Sequence, residues 1–270
     1  MTLIIGLKCK DGVVMAADGA ATLGNMGRPT AQQPTKKLYK LKERIVMGVS
    51  GPVGLGQLLK GKMETLWDDK ALSGKKPHEA MAVISKGFRD YIVPELIVAQ
   101  EAIKTIGNAG LSSAISSTLV AVPVNKELCV FQFDQQGAPE QMTDELPFAS
   151  IGSGQSIADP FLGLLRRVFW SDHQPTVNEG LFAAIWALDH AIKVNPGGVA
   201  EPMQVMKMIQ DGDTIEIKEL STEELAEHKE AVRNAERIMA ESLSDFKKSV
   251  SGEEGTSEIP EPSQATITKK

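Results

Sequence analysis

Apolar residues in the first fifty positions are grouped into runs that predict two pairs of strands. Residues 3–7 are almost wholly apolar and form the first predicted strand. Asp11-Gly12 follows between apolar segments, and this dipeptide is typical of a tight hairpin because glycine accepts the positive φ of such turns. A second pair of strands is predicted at KKLYKL and RIVMGVSG, which are joined by the charged residues 42–44.

Helical periodicity replaces this pattern after residue 52. Leu55, Leu58, Leu59 and Met63 recur near one face of a predicted helix, VGLGQLLKGKMETLW. A second helical pattern runs from residue 77 to about residue 106, and Pro94 inside it is expected to kink or split the helix. These two segments predict a first pair of helices.

The second half of the chain repeats this order of strands and helices. Strands are predicted at SSTLVAVPV, ELCVFQFD and FASIGSG, helices at SIADPFLGLLRRVFW and TVNEGLFAAIWALDHAIKV, and a closing Asp-Gly hairpin at MQVMKMIQDGDTIEIKEL. Hairpins separated by helix pairs favour antiparallel sheets, whereas alternating strands and helices would favour a parallel sheet. We therefore predict an α+β fold, a four-layer αββα sandwich of two stacked sheets covered by helix pairs.

The character of the chain changes after Leu220. Ser221 and Glu224 have the spacing of a capping box, and a strongly helical, mostly polar segment follows them. Residues 250–270 are rich in Gly, Pro, Ser and Glu with few large apolar residues, which predicts disorder. The predicted organisation is a domain over residues 2–220, a helical extension over 221–249 and a disordered tail over 250–270.

Composition narrows the possible function classes. A formal net charge of -6 argues against general binding to nucleic acid or a membrane surface, because both need a basic face. Cys9 and Cys129 lie in apolar runs without a CxxC or Cys/His cluster, so neither a zinc site nor a disulfide framework is predicted. Lys8 and Lys10 interrupt the apolar start, and no apolar run is long enough to cross a membrane. We expect a cytoplasmic protein with no metal or organic cofactor.

Thr2 could act as a catalytic nucleophile, although a small residue after Met1 is common and by itself indicates nothing. Removal of Met1 would leave a free α-amine beside the hydroxyl, with a reference pKa of about 7.7–8.0. Such an amine can take the hydroxyl proton directly or through a water, so one residue would supply both nucleophile and base. The arrangement needs a nearby cation and a carboxylate to hold it, and Lys37 and Asp18 fit those needs. Taken separately, Lys37 is more typical of an exposed lysine at a strand edge and Asp18 of a turn residue.

The segments TLIIGLKCKDGVVMAADGAATLGN, KKLYKL and VMGVSGPVGLGQ together resemble the β-type subunits of the proteasome core particle. DGAATLGN is especially similar to the bacterial HslV-type peptidase. The resemblance covers roughly residues 2 to 220 and rests on five separated motifs that occur in order. It implies the fold of the amino-terminal-nucleophile (Ntn) hydrolases, which agrees with the sandwich predicted from the pattern of strands and helices.

The resemblance also implies roles for particular residues. Thr2 matches the nucleophile of the family, and Asp18 and Lys37 match its carboxylate and lysine. Gly51, in the Ser-Gly turn, matches the donor of an oxyanion-binding N–H group. Ser153, in the Gly-Ser-Gly motif of residues 152–154, matches the serine that steadies the amino terminus.

The chain departs from the family in the segment KVNPGGV. Active members usually place an aspartate after the long helix there, followed shortly by a serine and paired glycines, whereas this chain has Asn195 and lacks the serine. An asparagine hydrogen-bonds but carries no charge to hold a protonated amine or orient a water. We expect catalysis to be weakened or altered at this position, not absent.

Substrate, assembly and alternatives complete the predictions. By resemblance, a pocket for the substrate side chain is lined at Ala21, Thr35, Val49 and Val53, which suits apolar groups but could equally be ordinary core. The family works as homo-oligomeric rings, usually fed with unfolded protein by an ATP-dependent unfoldase. The leading prediction is a threonine endopeptidase. The alternatives are a non-catalytic ring subunit and an Ntn amidase or transpeptidase with one narrow substrate.

Overall fold

The computed structural model describes residues 2–25, 28–106, 114–195, 198–212 and 214–251, and every structural statement below concerns these residues. The chain divides into two compact units, residues 1–229 and residues 230–270, which are treated separately. The elements in chain order are β1 (Ile4–Cys9), β2 (Gly12–Asp18), β3 (Ala20–Asn25), β4 (Arg28–Pro34), β5 (Leu38–Leu41), β6 (Ile45–Ser50), α1 (Val53–Asp68), α2 (Pro77–Ile106), β7 (Ser117–Val124), β8 (Glu127–Phe133), β9 (Pro139–Gln141), β10 (Phe148–Ile151), α3 (Gln155–Phe169), α4 (Val177–Val194), β11 (Met203–Asp211), β12 (Thr214–Glu219) and α5 (Thr222–Ser251).

Two five-stranded sheets of antiparallel strands form the centre of the first unit. One has the strand order β10-β1-β2-β11-β12 and the other the order β5-β6-β7-β8-β9. Apolar side chains from both sheets meet in one buried cluster, in which Ile4 and Met15 of the first sheet pack with Val46 and Leu119 of the second. Burial of such aliphatic surface is the main force that holds stacked sheets together.

A helix pair covers the outer face of each sheet. The helices α1 and α2 pack on the second sheet, where Leu59, Met63 and Phe88 join a cluster with Phe131 and Phe133. On the opposite side α3 and α4 cover the first sheet, with α4 against β1, β2 and β11. The predicted four-layer αββα sandwich is therefore confirmed.

Local sequence signals account for several element boundaries. Thr176 begins α4 with a capping box, because its side chain accepts the Glu179 N–H while the Glu179 carboxylate accepts the Thr176 N–H at 2.7 Å. The predicted capping box at the start of α5 is confirmed in the same way, since Ser221 Oγ accepts the Glu224 N–H at 3.2 Å and the Glu224 carboxylate accepts the Ser221 N–H at 3.0 Å.

The structure differs from the sequence-based expectations at four elements. The strands β3 and β4 form a separate two-stranded sheet that the hydrophobic pattern does not predict. The three-residue strand β9 is also additional. Pro94 does not split α2, which runs as one helix from Pro77 to Ile106.

The second unit contains the greater part of α5. This helix ends at Ser251, close to the predicted end of the helical extension, and residues 252–270 of the predicted disordered tail lie outside the described residues. Among the helices that the structure describes, none is long and apolar enough to span a membrane.

Candidate active site

A buried carboxylate lies beside the start of the chain. Because β1 and β2 pair antiparallel with Ile4 opposite Ala17, Asp18 at the end of β2 comes next to Leu3. Asp18 is fully buried, and its Oδ1 accepts the backbone N–H of Leu3 at 2.8 Å. Its Oδ2 accepts weaker bonds from the N–H groups of Ala20 at 3.3 Å and Ala200 at 3.4 Å. The carboxylate thus ties three segments of backbone to one point.

Lys37, just before β5, completes an ion pair with this carboxylate. Its Nζ lies 2.7 Å from Asp18 Oδ1, and only 7% of the lysine side chain is exposed. The Lys37 backbone N–H donates to Gln204 Oε1 at 2.6 Å, a contact with β11 that the sequence did not indicate. Burial lowers the pKa of Lys37 below its ordinary value, and attraction to Asp18 opposes that effect. The ammonium group is therefore held in place but surrounded by little water.

The turn between β10 and α3 holds the backbone of Thr2. The Thr2 N–H donates to Ser153 Oγ at 3.1 Å, and the Thr2 carbonyl accepts the Gly154 N–H at 3.1 Å. Gly152 is needed for this approach, because its φ is +99° and a Cβ there would lie 2.2 Å from the Thr2 carbonyl oxygen. The Gly-Ser-Gly motif singled out in the sequence therefore lies against the predicted nucleophile.

Seven of the ten predicted site residues line one cavity of about 280 Å³. They are Thr2, Ala21, Thr35, Lys37, Val49, Gly51 and Val53. Gly51 has a φ of +143°, and a Cβ there would come within 2.6 Å of the Ile115 carbonyl oxygen, so this turn also requires glycine. The structure brings the predicted nucleophile, lysine, oxyanion donor and substrate pocket together.

Asn195 is placed differently. It follows the last turn of α4, and its carbonyl accepts the N–H groups of Gly198 at 3.3 Å and Val199 at 3.4 Å. Within the described residues, no hydrogen bond joins the Asn195 side chain to Thr2 or Ser153. Its role at the amino terminus stays a prediction.

Further lining residues were not identified from the sequence. They are Ala20, Lys36, Tyr39, Pro52, Gly56, Gln57 and Lys60. Helical spacing in the sequence could have identified part of this set. Positions i, i+3, i+4 and i+7 of α1 share one face of the helix, and they are occupied by Val53, Gly56, Gln57 and Lys60. Once Val53 is assigned to the pocket, the helical period brings Lys60 to the same wall.

The two cysteines take no part in this site. Cys9 and Cys129 are both buried and unpaired, and burial raises the pKa of each thiol to about 12. Among the described residues, no group of three or more His, Cys, Asp or Glu side chains could hold a metal ion. The lining of the cavity includes the predicted nucleophile Thr2, the buried Lys37 and the Gly51 turn.

Comparisons with known proteins agree with the fold. The family described as "Proteasome subunit" matches residues 2–199. A proteasome subunit beta from Methanococcus maripaludis strain C7 is 30% identical over 199 residues, which are 71% of this chain and 76% of that protein. A proteasome subunit beta from a Methanocaldococcus species is 29% identical over 197 residues, with coverage of 71% and 75%.

Solved structures show the same fold at lower identity. Anbu (ancestral beta-subunit) from Yersinia bercovieri is 14% identical with a TM-score of 0.65, over 90% of this chain and 96% of that one. The Anbu complex from Pseudomonas aeruginosa, solved as a helical assembly, is 17% identical with a TM-score of 0.65 and the same coverage. The family match spans well over half of the residues, and each of the two curated relatives matches 71% of the chain. The chain therefore belongs to the proteasome subunit family.

Proposed function

We propose that this chain is a threonine-type peptidase subunit, whose nucleophile is Thr2 Oγ once Met1 has been removed. The observation that carries the proposal is the buried ion pair between Lys37 and Asp18. Asp18 binds the N–H of the residue that follows Thr2, and Lys37 and Thr2 line the same cavity. A buried lysine in a cleft beside a hydroxyl is the environment expected for an activated nucleophile.

In the first half of the reaction, the α-amine of Thr2 takes the proton from Oγ as the oxygen attacks the substrate carbonyl. The positive charge of Lys37 favours the developing alkoxide, and it is most effective where little water screens it. The Gly51 N–H stabilises the oxyanion of the tetrahedral intermediate. Such a donor contributes about 3–4 kcal/mol to the transition state where single donors have been removed.

In the second half, the α-amine protonates the leaving amine, and the C–N bond breaks to give an ester on Thr2. A water then attacks the ester and releases the second product. Ser153 Oγ, which lies 3.1 Å from Thr2 N, orients the amine in both steps. Asp18 holds Lys37 throughout, and the scheme calls for no metal or organic cofactor.

Assembly forms part of the same proposal. A ring or helical array of identical chains would enclose the cavities, and membership of the proteasome subunit family supports this self-association. The structural neighbour from Pseudomonas aeruginosa forms a helical assembly. Unfolded protein or peptide is the proposed substrate, delivered by an ATP-dependent unfoldase in the cytoplasm. The two buried, unpaired thiols are consistent with that reducing compartment.

One observation favours a second function, a non-catalytic subunit of such an assembly. Asn195 stands where the resemblance places an aspartate, and no described hydrogen bond joins its side chain to Thr2 or Ser153. An amine without that support would be a poorer base. The third reading, an amidase or transpeptidase with one narrow substrate, shares the acyl-enzyme and differs only in acceptor and pocket.

The test is the intact mass of the purified protein before and after exposure to a threonine-directed β-lactone. For a peptidase, we expect the mass to show that one methionine is lost and that one inhibitor molecule is added. Thr2→Ala is expected to form no adduct, although its small second residue still permits removal of Met1. Thr2→Ser is the matched control that retains a hydroxyl and is expected to label. A wild-type chain that keeps Met1, or that loses it and never labels, contradicts the proposal and leaves the non-catalytic subunit. For a protein that does label, degradation of casein distinguishes the peptidase from an amidase with one narrow substrate.

A further inference from the structure

Lysines dominate the charged lining of the cavity beside Thr2. Lys36, Lys37 and Lys60 contribute to its wall, and the lining that the structure describes includes no aspartate or glutamate. Lys37 is engaged by Asp18 at 2.7 Å, so its charge is largely committed to the catalytic pair. The other two lysines give the cavity a positive potential that the catalytic scheme does not use.

Lys60 is held against the wall by an aromatic ring. Its Nζ lies 5.4 Å from the centre of the Tyr39 ring, within the range of a cation–π contact. The ring is itself fixed, because the Tyr39 hydroxyl donates to the Lys36 carbonyl at 2.9 Å. A lysine on a four-carbon stem would otherwise sample many positions. The contact therefore positions one ammonium group at the cavity before any substrate arrives.

No acidic side chain neutralises Lys60 within the part of the chain that the structure describes. Glu64 is one helical turn further along α1, but it makes no ion pair with Lys60 and instead raises the pKa of Lys42 together with Asp68. Lys36 Nζ lies 3.7 Å from a carboxylate oxygen of Glu219, which is not among the lining residues that the structure describes. Lys60 as a residue is partly buried, and a carboxylate that enters the cavity can form a charge-assisted hydrogen bond with its ammonium group.

We propose that this cavity selects substrates with an acidic side chain at P1, the residue that supplies the scissile carbonyl, and that Lys60 is the residue that determines this preference. Gln57, on the same face of α1, adds a neutral hydrogen-bonding group beside it. The small residues Ala21, Thr35, Val49 and Val53 shape the remainder of the pocket, while the charge decides which side chain enters. This inference rests on the peptidase function proposed above.

The test compares peptide aminomethylcoumarins that differ only at P1, with Glu, Gln, Leu or Lys in that position. Glu and Gln have nearly the same shape, so their ratio of kcat/KM isolates the effect of charge. We expect the wild-type protein to favour Glu over Gln by about ten- to a hundredfold, the range for a hydrogen bond to a charged group. Lys60→Met is expected to bring this ratio close to one, and Lys60→Glu to favour the P1 lysine.

Lys86→Met is the matched control, because Lys86 is exposed on α2 and does not line the cavity. It removes the same charge from the protein and is expected to leave the Glu/Gln ratio unchanged. A wild-type ratio near one, or one that Lys60→Met does not alter, overturns the inference. Labelling of Thr2 by the β-lactone, measured in parallel, distinguishes the two proposals. A protein that labels but shows no preference for P1 Glu refutes the proposed specificity alone. A protein that neither labels nor cleaves peptides refutes both the peptidase function and the specificity that rests on it.

Discussion

Substitution of Asp18 by Asn tests how the ion pair supports both the fold and the site. The variant keeps the shape of the side chain but leaves Lys37 buried without its counter-ion, and its amide N–H₂ group must lie among the N–H groups of Leu3, Ala20 and Ala200. Removing one partner of a buried ion pair lowers the free energy of unfolding by about 3–5 kcal/mol.

The loss in the free energy of unfolding is also expected to depend on pH, because Lys37 is titratable. Burial already lowers the pKa of Lys37 from its ordinary value of 10.5, and the variant removes the opposing attraction. Without that attraction the folded variant binds the Lys37 proton less tightly than the unfolded chain does, so its free energy of unfolding increases as the pH rises towards 10.5. The loss relative to the wild type is therefore expected to be larger at pH 7 than at pH 9 and to shrink as the pH approaches 10.5.

Urea unfolding at pH 7, 8 and 9, at one fixed protein concentration, measures this loss. Asp18→Asn combined with Lys37→Met replaces the pair by two neutral groups and is expected to recover much of the stability without the slope. Asp68→Asn is the surface control, because it removes only the exposed ion pair with Lys42 and is expected to cost under about 1 kcal/mol. A loss in Asp18→Asn below about 1 kcal/mol, or one independent of pH, would refute the reasoning.

Three further predictions concern the site and its support. Gly152→Ala places a Cβ 2.2 Å from the Thr2 carbonyl oxygen and is expected to slow β-lactone labelling at least about tenfold, whereas Gly163→Ala, with open space around it, leaves labelling unchanged. Equal rates in the two variants would argue against this packing. Thr176→Val removes the capping box of α4 and is expected to lower the free energy of unfolding by about 1 kcal/mol, measured in urea; an unchanged midpoint would contradict it. The rate of Thr2 labelling is expected to rise with pH as the α-amine, whose reference pKa is about 7.7–8.0, deprotonates, and to fall as Lys37 loses its proton below 10.5, because burial lowers the pKa of that lysine. A rate that still increases at pH 10.5 would show that the lysine charge is not required.

Much of the fold could be predicted because its hairpins and helices carry strong local signals. Asp11-Gly12 marks the turn between two apolar strands, and the structure has its hairpin there. The strands β3 and β4 were missed for a physical reason. They pair with one another in a two-stranded sheet, and their sequences AATLGN and RPTAQQP contain no alternation of apolar and polar residues. Strands without that alternation leave no periodic trace in the sequence.

The site was predictable only where residues match a known family in order. The pairing of Lys37 with Asp18 agrees with that match, but the contact from Lys37 to Gln204 joins positions 167 residues apart and has no local signature. Lys60 was missed because a charged residue on a helix usually faces solvent. Only its helical spacing from Val53 relates it to the cavity.

The position of β1 inside its sheet restricts when the chain can be processed. Leu3 and Ile4 are fully buried, and β1 is flanked by β2 on one side and β10 on the other. An aminopeptidase must bind the first residues in an extended, accessible form. On the proposed mechanism, Met1 therefore has to be removed before this sheet forms. The partner of Ile4 in β10 is Ile151, which emerges from the ribosome about 7–30 s later at ordinary rates of synthesis. Removal of Met1 and folding of this sheet therefore compete during translation. On the proposed mechanism, a chain that folds first retains Met1 and has an inactive site.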